Sequence, residues 1–564
     1  MGKKGTAKSL TEQEKNQQGI LVTMLNPIRK IVIVGGGAAG WMCAAFLNKL
    51  RRDKQPFLEI TVVDPPTGSA IGVGEATTTT THDILWWLGV DENDWLKKCD
   101  GSFKLGILFT DWYQKNEGYW HLFENPERHK NVALPLLWLS QFPSRDYRQF
   151  AYDCFSAPTV CEAFLAPRMH GALPYGSDLT YGYHVSVAKH IAYLKMLSLE
   201  HVRLVSDEIA QINLDEKGFI KDIQTQTGES LTADLFIDCT GFKGLLINKT
   251  MGEPFVSFAD SLLCDRAIAV QLPHRVPQAP IRPYTTAAAM NHGWCWDIPL
   301  QSRDGAGYVH CGAFVSVDEA MKEFSEKLKT NLVNLDPKVI HMRTGYTKKP
   351  WVKNCVSIGL ANGFIEPLES TGNSLIEFAC MTLYKVLKQF RGRSIPEDAI
   401  SKSNTRVRRV YEEVRDFVVL HYALTKRDDT AFWRAIQHDM RVPEVVREKL
   451  AYFESGMPNR DISSLGLPWF DDFFPQFSYL CILVGMNCLP KVRLESSKCI
   501  TSNDLENAFS DNRKRAQILL QKLPPLRDFL NQLEPDQNKN ATALRKILNV
   551  VRQKSFAHVL PWTY

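Results

Sequence analysis

Three glycines, one lysine, two tryptophans and two glutamates hold the spacings that could do chemistry here. Gly35, Gly37 and Gly40 form G-x-G-x-x-G within "IVIVGGGAAG", with Ala38 and Ala39 between the last two. The first glycine of such a run permits a tight turn, the second lets a pyrophosphate approach the backbone and the third allows close helix packing. The phosphate then sits on the helix N-terminus. Asp64 ends "LEITVVD", where an acid can bond a ribose hydroxyl; capping a turn is its other reading. Lys104 lies in "GSFKLGILF" among Phe103, Leu105 and Ile107, poor neighbours for a solvated charge. Trp294 and Trp296 in "GWCWDIPL" stand two apart, so on a strand they share a face; two core indoles are the plainer reading. Glu366 and Glu369 in "FIEPLESTG" are both candidate proton acceptors. Ser370, Thr371 and Gly372 follow and lead into an amphipathic run, so their N–H groups can meet an anion at a helix's positive end. Ordinary N-capping by Ser370 or Thr371 is compatible with that role.

These residues need elements to position them. Ile31 to Val34 is a β-branched run of the kind buried in a parallel sheet, and the segment after it closes on Lys49, Arg51 and Arg52, which suit a helix C-terminus. With "LEITVVDPP" this makes a β-α-β opening. "LTADLFIDCTGFKGLL" reads as a later strand block, after hairpin turns at Lys217-Gly218 and Thr227-Gly228, and "WVKNCVSIGLANGF" as one more buried strand. "NSLIEFACMTLYKVLKQFRG" has helical periodicity, and beyond about Ser394 the pattern is mostly helical. The expected fold class is α/β, an FAD-binding Rossmann-like domain followed by a mostly helical substrate-covering region. The expected boundaries are a flexible leader over 1–27, the cofactor-binding domain with substrate-site insertions over 28–395 and the helical region over 396–564.

Composition excludes several classes. A net charge of +5 over 564 residues, with no long basic block, argues against nucleic-acid binding. No apolar run reaches the length of a membrane span; "YLCILVGMNCLP" is about half of one. The 13 cysteines are scattered and hold no C-x-x-C pair, which points to reduced thiols, no metal site and a cytoplasmic location. "MGKKGT" fits the loose myristoylation pattern, for which a chance match is the plainer account.

Taken together, the motifs resemble those of the flavin-dependent halogenases of the tryptophan halogenase superfamily. "WCWDIP" matches the family's W-x-W-x-I-P, "GGGAAGWM" its nucleotide segment, "GVGEAT" its flavin strap and "CDGSFK" its lysine segment. "FIEPLESTG", "FIDCTGFKGLLINK" and "VKNCVSIG" extend the match over most of residues 30 to 435. The resemblance implies FAD, used as FADH2 supplied by a separate flavin reductase, held by the Gly35–Gly40 turn, Asp64, Gly74, Glu75, Ala76, Thr77 and Gly359. It implies a halide, bromide or chloride, at Ser370, Thr371 and Gly372. Lys104 is the implied catalytic lysine, which holds hypohalous acid by hydrogen bonding or as a haloamine. Glu369, which the family pattern selects over Glu366, stabilises the cationic arene and accepts its proton. Trp294 and Trp296 resemble a wall that keeps the arene away from the flavin.

Aromatic contacts to the substrate are implied at Ile107, His121 and Phe123, with Phe473 and Phe474 the nearest match to a C-terminal Phe-Trp. The family's tyrosine pair, which recognises the amino-acid part of tryptophan, is absent from "SSLGLPWFDDFFPQFSYLC". Thr78 and Thr79 replace an apolar-proline pair of the strap, and Leu360 stands where aromatic hydroxylases carry an acid. The expected substrate is an electron-rich, indole-like small arene. Free tryptophan, a carrier-bound pyrrole, a flavin hydroxylase and a flavin-binding scaffold without catalysis are the alternatives. A homodimer is a possible assembly.

Overall fold

A computed structural model describes residues 24–52, 58–66, 74–141, 145–274, 276–456, 473–491 and 501–534. The glycine turn sits between the strand Lys30–Val34 and helix α1 (Ala38–Arg52). That strand is the middle of a six-stranded sheet in the order 203–205, 59–63, 30–34, 235–238, 355–357, 351–352. All neighbours run parallel except the last pair. Ile31, Val32, Ile33, Phe236 and Ile237 are fully buried, as a sheet covered on both faces requires. This is the FAD-binding, Rossmann-like α/β arrangement expected from the sequence.

Residues 351–364 differ from expectation. They form a hairpin with a turn at Lys353-Asn354, where Lys353 adopts φ 51, then a short 3-10 turn and a further strand at Gly363–Phe364. The polar Lys353-Asn354 pair breaks the apolar run, and Asn354 is held by both backbone groups of Ile220. The hairpin turns expected at Gly218 and Gly228 are present, with φ of 75 and 90.

Two further sheets build the site. A seven-stranded sheet runs 338–341, 266–273, 303–310, 293–299, 285–289, 106–110, 118–122. A three-stranded sheet places Gly182–Val185 between Glu75–Ala76 and Ser102–Lys104. Helix α2 (Thr79–Leu88) follows the strap strand, and α3 (Gly372–Gln389) packs on both α1 and α2. Beyond it come α4 (Glu397–Leu424) and α5 (Gln476–Gly485), the latter lying on strand Gly118–Leu122.

Within the expected leader, Met24 and Leu25 pair with Ile395 and Pro396 and Leu25 is buried, so the folded body begins by Met24. Residues 1–23 of that leader lie outside the described residues, as do 463–472 of the C-terminal segment singled out above. Among the described residues no helix is long and apolar enough to cross a membrane, no acidic, histidine or cysteine cluster could hold a metal, and every cysteine is a buried free thiol.

Candidate active site

The glycine turn has the geometry a dinucleotide needs. Gly35 adopts φ 113, and a Cβ there would meet the Cys239 carbonyl oxygen at 2.3 Å. A Cβ on Gly40 would stand 1.9 Å from the Gly35 carbonyl, so α1 packs against the turn without a side chain between them. Gly37 faces open space, with no atom within 4 Å of a Cβ position, which leaves the approach for a phosphate free. Ala38 and Ala39 open α1, and Gly359, at φ 71, comes so close that a Cβ would lie 2.5 Å from that of Ala39. Asp64 sits against the turn and accepts from Trp41 Nε1 (3.3 Å) and Lys195 Nζ (3.1 Å). Lys195 gave no signal in the sequence.

The strap residues meet the paired tryptophans. Gly74 lies against Leu300 and Ile298, and Ala76 joins Ile298 and Leu300 in a small apolar cluster with Trp296 packed on it. Thr77 exchanges hydrogen bonds with the Tyr183 backbone, and burial raises the Glu75 carboxyl to about 7, against an opposing pull from Asn373. Trp294 and Trp296 share one strand, Gly293–Pro299, with ring centroids 6.0 Å apart and planes tilted by 56°. Trp294 is buried and packs on Trp112. The Trp296 indole lies over Gly307 of the adjacent strand, where a Cβ would come within 2.0 Å of the ring.

Lys104 is fully buried at the end of strand Ser102–Lys104. Its Nζ donates to Ser370 Oγ at 2.7 Å and stands 4.9 Å from the centre of the Phe123 ring. Burial pulls its ammonium down to about 7, although the Glu369 charge works in the other direction. Ser370 holds a left-handed backbone, φ 60, uncommon for a residue with a Cβ and frequent at functional sites.

Glu369 is 1% exposed and is approached by two histidines. His121 Nδ1 donates to Oε2 at 2.6 Å, and His421 Nε2 lies 2.8 Å from Oε1. Burial alone would raise this carboxyl, but the His121 charge and the contacts from both imidazoles outweigh it and hold the group at about 2. The Tyr119 hydroxyl is 2.6 Å from His421 Nδ1, and burial holds His421 below the usual imidazole range against the pull of Glu369. Glu366 is also fully buried but lies apart, beside Tyr422 and Trp294, and burial lifts it to about 7.

Thr371 precedes α3 and makes no cap hydrogen bond; its Oγ1 is buried without a partner, and Gly372 faces open space. Ser370 is engaged by Lys104. Neither hydroxyl therefore serves as an ordinary N-cap, and a small anion fits the unspent Thr371 hydroxyl and the helix start.

Aromatic rings close the site. Ile107 is buried opposite His121 in register, and His121 is flanked by Phe123, Phe417 and Phe474 at 5.9, 5.6 and 6.3 Å. Phe474 stacks on Phe417 at 3.8 Å, and the Phe473 backbone N–H donates to Glu413. The sequence reading missed Phe417, His421 and Tyr119. The first two lie on the buried face of α4, where a phenylalanine and a lone histidine look like core.

The sheet carries a dinucleotide-type glycine turn, and the site holds a buried lysine that feels the charge of the buried Glu369. The family model for tryptophan halogenases matches residues 30–501. Tryptophan 7-halogenase RebH of Lentzea aerocolonigenes is 34% identical, over 90% of this chain and 99% of that protein. Tryptophan 6-halogenase ThaL of Streptomyces albogriseolus is 32% identical over the same shares. Among solved structures, Tar14, a tryptophan C-6 flavin-dependent halogenase from taromycin biosynthesis, superposes with TM-score 0.80 at 33% identity, over 89% of this chain and 99% of that one. The tryptophan halogenase from Shewanella frigidimarina gives 0.81 at 31% identity, over 90% and 98%. The chain belongs to the tryptophan halogenase family and is a flavin-dependent halogenase.

Proposed function

We propose that the protein halogenates an electron-rich, indole-like arene with hypohalous acid delivered through Lys104. The observation that carries this reading is the buried site itself: Lys104 bonded to Ser370 beside the Phe123 ring, and Glu369 held between His121 and His421. FADH2, supplied by a separate reductase, provides with O2 the two-electron oxidation that turns halide into hypohalous acid. Gly35, Gly37, Gly40, Asp64, Gly359 and the strap residues Gly74 to Thr77 would hold it; Thr371 and Gly372 would hold the halide. Trp294 and Trp296 keep the arene on the Lys104 side.

At neutral pH a large fraction of Lys104 is the free amine. Its lone pair can take the halogen of hypohalous acid, with water leaving, or its N–H groups can polarise the acid; arginine could not do the former. The arene π-pair then bonds the halogen as its N–X or O–X bond breaks; the released pair takes a proton to regenerate the amine or form water, and Glu369 stabilises the resulting cation. The C–H bond breaks, its electron pair restores the ring and the proton passes to Glu369. Ser370 fixes the direction of Lys104, and His121 and His421 fix that of Glu369.

A second reading, free tryptophan as substrate, is favoured by the activities for which the relatives are named. Mass spectrometry of reactions with FAD, a flavin reductase, NADH and O2 separates the readings. Indole, tryptophan and a phenol are each offered with bromide, chloride or neither. Halogenated indole with unmodified tryptophan supports the first reading, and halogenated tryptophan the second. A product that gains only oxygen in every salt overturns both.

A further inference from the structure

The threonine-rich stretch after the strap has no part in the reaction described above; Thr78 caps α2 by accepting from the Thr80 backbone, and the hydroxyls of Thr78, Thr80 and Thr81 all also reach α3. Thr78 Oγ1 lies 2.7 Å from Ser374 Oγ, and Thr80 Oγ1 lies 2.9 Å from the same atom. Each oxygen of Glu377 takes one threonine: Thr80 at 2.8 Å on Oε2 and Thr81 at 2.7 Å on Oε1. Thr78, Thr81, Ser374 and Glu377 are all at least 90% buried. Ser374 and Glu377 lie on the first turns of α3, the helix that begins at Gly372 beside Thr371. The threonines open α2, two residues after the strap strand Glu75–Ala76, which is itself bonded to Gly182–Val185.

Apolar packing between α2 and α3 would glue the two helices without fixing their register. A buried hydroxyl–carboxyl cluster is tolerated only when its bonds are made, so it admits one relative position of strap and helix. Its two ends are the stretch that would hold flavin and the turn that would hold halide. Strap and helix can leave this position only by breaking the cluster, so a ligand that binds one end only when the cluster is made favours that state, and the second ligand then meets an end already in place.

We propose that Thr78, Thr80, Thr81, Ser374 and Glu377 couple the flavin strap to the start of α3, so that halide and flavin raise each other's affinity. Ser374 and Glu377 are positioning residues in this scheme. The inference rests on the assignment of strap and helix start made under Proposed function, and linkage makes the effect reciprocal.

The test is an equilibrium titration of oxidised FAD with the full chain, read by flavin fluorescence, in bromide and in acetate at equal ionic strength. The wild type is expected to bind FAD about 5-fold tighter in bromide, the lower end of ordinary coupling. Thr80→Val combined with Ser374→Ala should bind FAD with less than 2-fold dependence on the salt, while Thr80→Ser alone, which keeps the hydroxyl, should keep the wild-type response. If the double variant does not fold, Thr80→Val alone carries the comparison. Equal wild-type affinity in the two salts overturns the proposal, as does a valine variant that keeps the wild-type response. Halogenated product without halide-dependent FAD binding overturns the coupling alone. Halide-dependent FAD binding without halogenation of any arene sustains the coupling and removes the functional reading.

Discussion

His121 Nδ1 stands 2.6 Å from Glu369 Oε2, deep in the protein, and His421 approaches the other oxygen of the same carboxylate at 2.8 Å. A carboxylate with an imidazole at each oxygen stays ionised despite its burial. It is therefore ready to stabilise a cation and takes up a proton only from a strong acid, such as a halogenated arenium ion. Glu369→Gln keeps the shape and removes the charge. Halogenation should fall by about 10²–10³-fold, the cost of losing one preorganised electrostatic contact. Single-turnover rates measured with preformed hypohalous acid would place the loss at arene attack.

Lys104 gives a sign for the pH profile. Its free-amine fraction grows as pH rises through about 7, so a step that uses the amine should accelerate from pH 6 to 8 and level off above. Lys104→Arg should lose the part of the rate that needs the amine lone pair, because the guanidinium stays protonated; activity that survives the change would assign the N–H route. Stability carries the same signature. The lysine is depressed in the folded state, so between about 7 and 10.5 the unfolded chain binds more protons and folding gains as pH rises. Lys104→Met should flatten that rise in melting temperature.

Thr371 offers a substitution with little structural cost, since its hydroxyl bonds nothing in the protein. Thr371→Val should raise the KM for halide about tenfold, the worth of one hydrogen bond to a charged group, and leave kcat within a few-fold. An unchanged halide KM would move the anion site away from this turn.

Glu366 should declare itself in stability, not in rate. Its folded value of about 7 lies above the ordinary 4.5, so its contribution is fully present below 4.5 and is lost as pH rises through about 7. Glu366→Gln should raise the melting temperature at pH 8 relative to wild type and change it little at pH 5. A halogenation rate within a few-fold of wild type would separate Glu366 from Glu369 as the proton acceptor.

Local signals made much of this legible. Gly35, Gly37 and Gly40 announced themselves because a nucleotide turn is made of consecutive residues. Lys104 did so because a charge inside "GSFKLGILF" has no solvated face to occupy. His421, Phe417 and Tyr119 were hidden for the opposite reason. His421 reaches Glu369 from α4, while Phe417 and Tyr119 pack on the two histidines that hold it, and nothing in a helix's own periodicity tells a histidine that meets a carboxylate 52 positions away from one that fills the core. The hairpin at Lys353-Asn354 shows a related limit: two polar residues within an apolar run turn the chain only because Ile220 supplies backbone partners from another hairpin.

Gly307 contributes no side chain, yet the Trp296 indole leans on it, and in the proposed function that indole is half of the partition between flavin and arene. An indole laid flat over a neighbouring backbone has no slack behind it, so the barrier is more fragile from the rear than from the side that meets substrate. Random mutagenesis would thus find that partition easy to disturb from behind, since every amino acid but glycine at 307 pushes against the Trp296 ring. Attempts to widen the substrate range are safer on the aromatic face around Phe123 and Phe474, where a changed ring reshapes the pocket and leaves the partition standing.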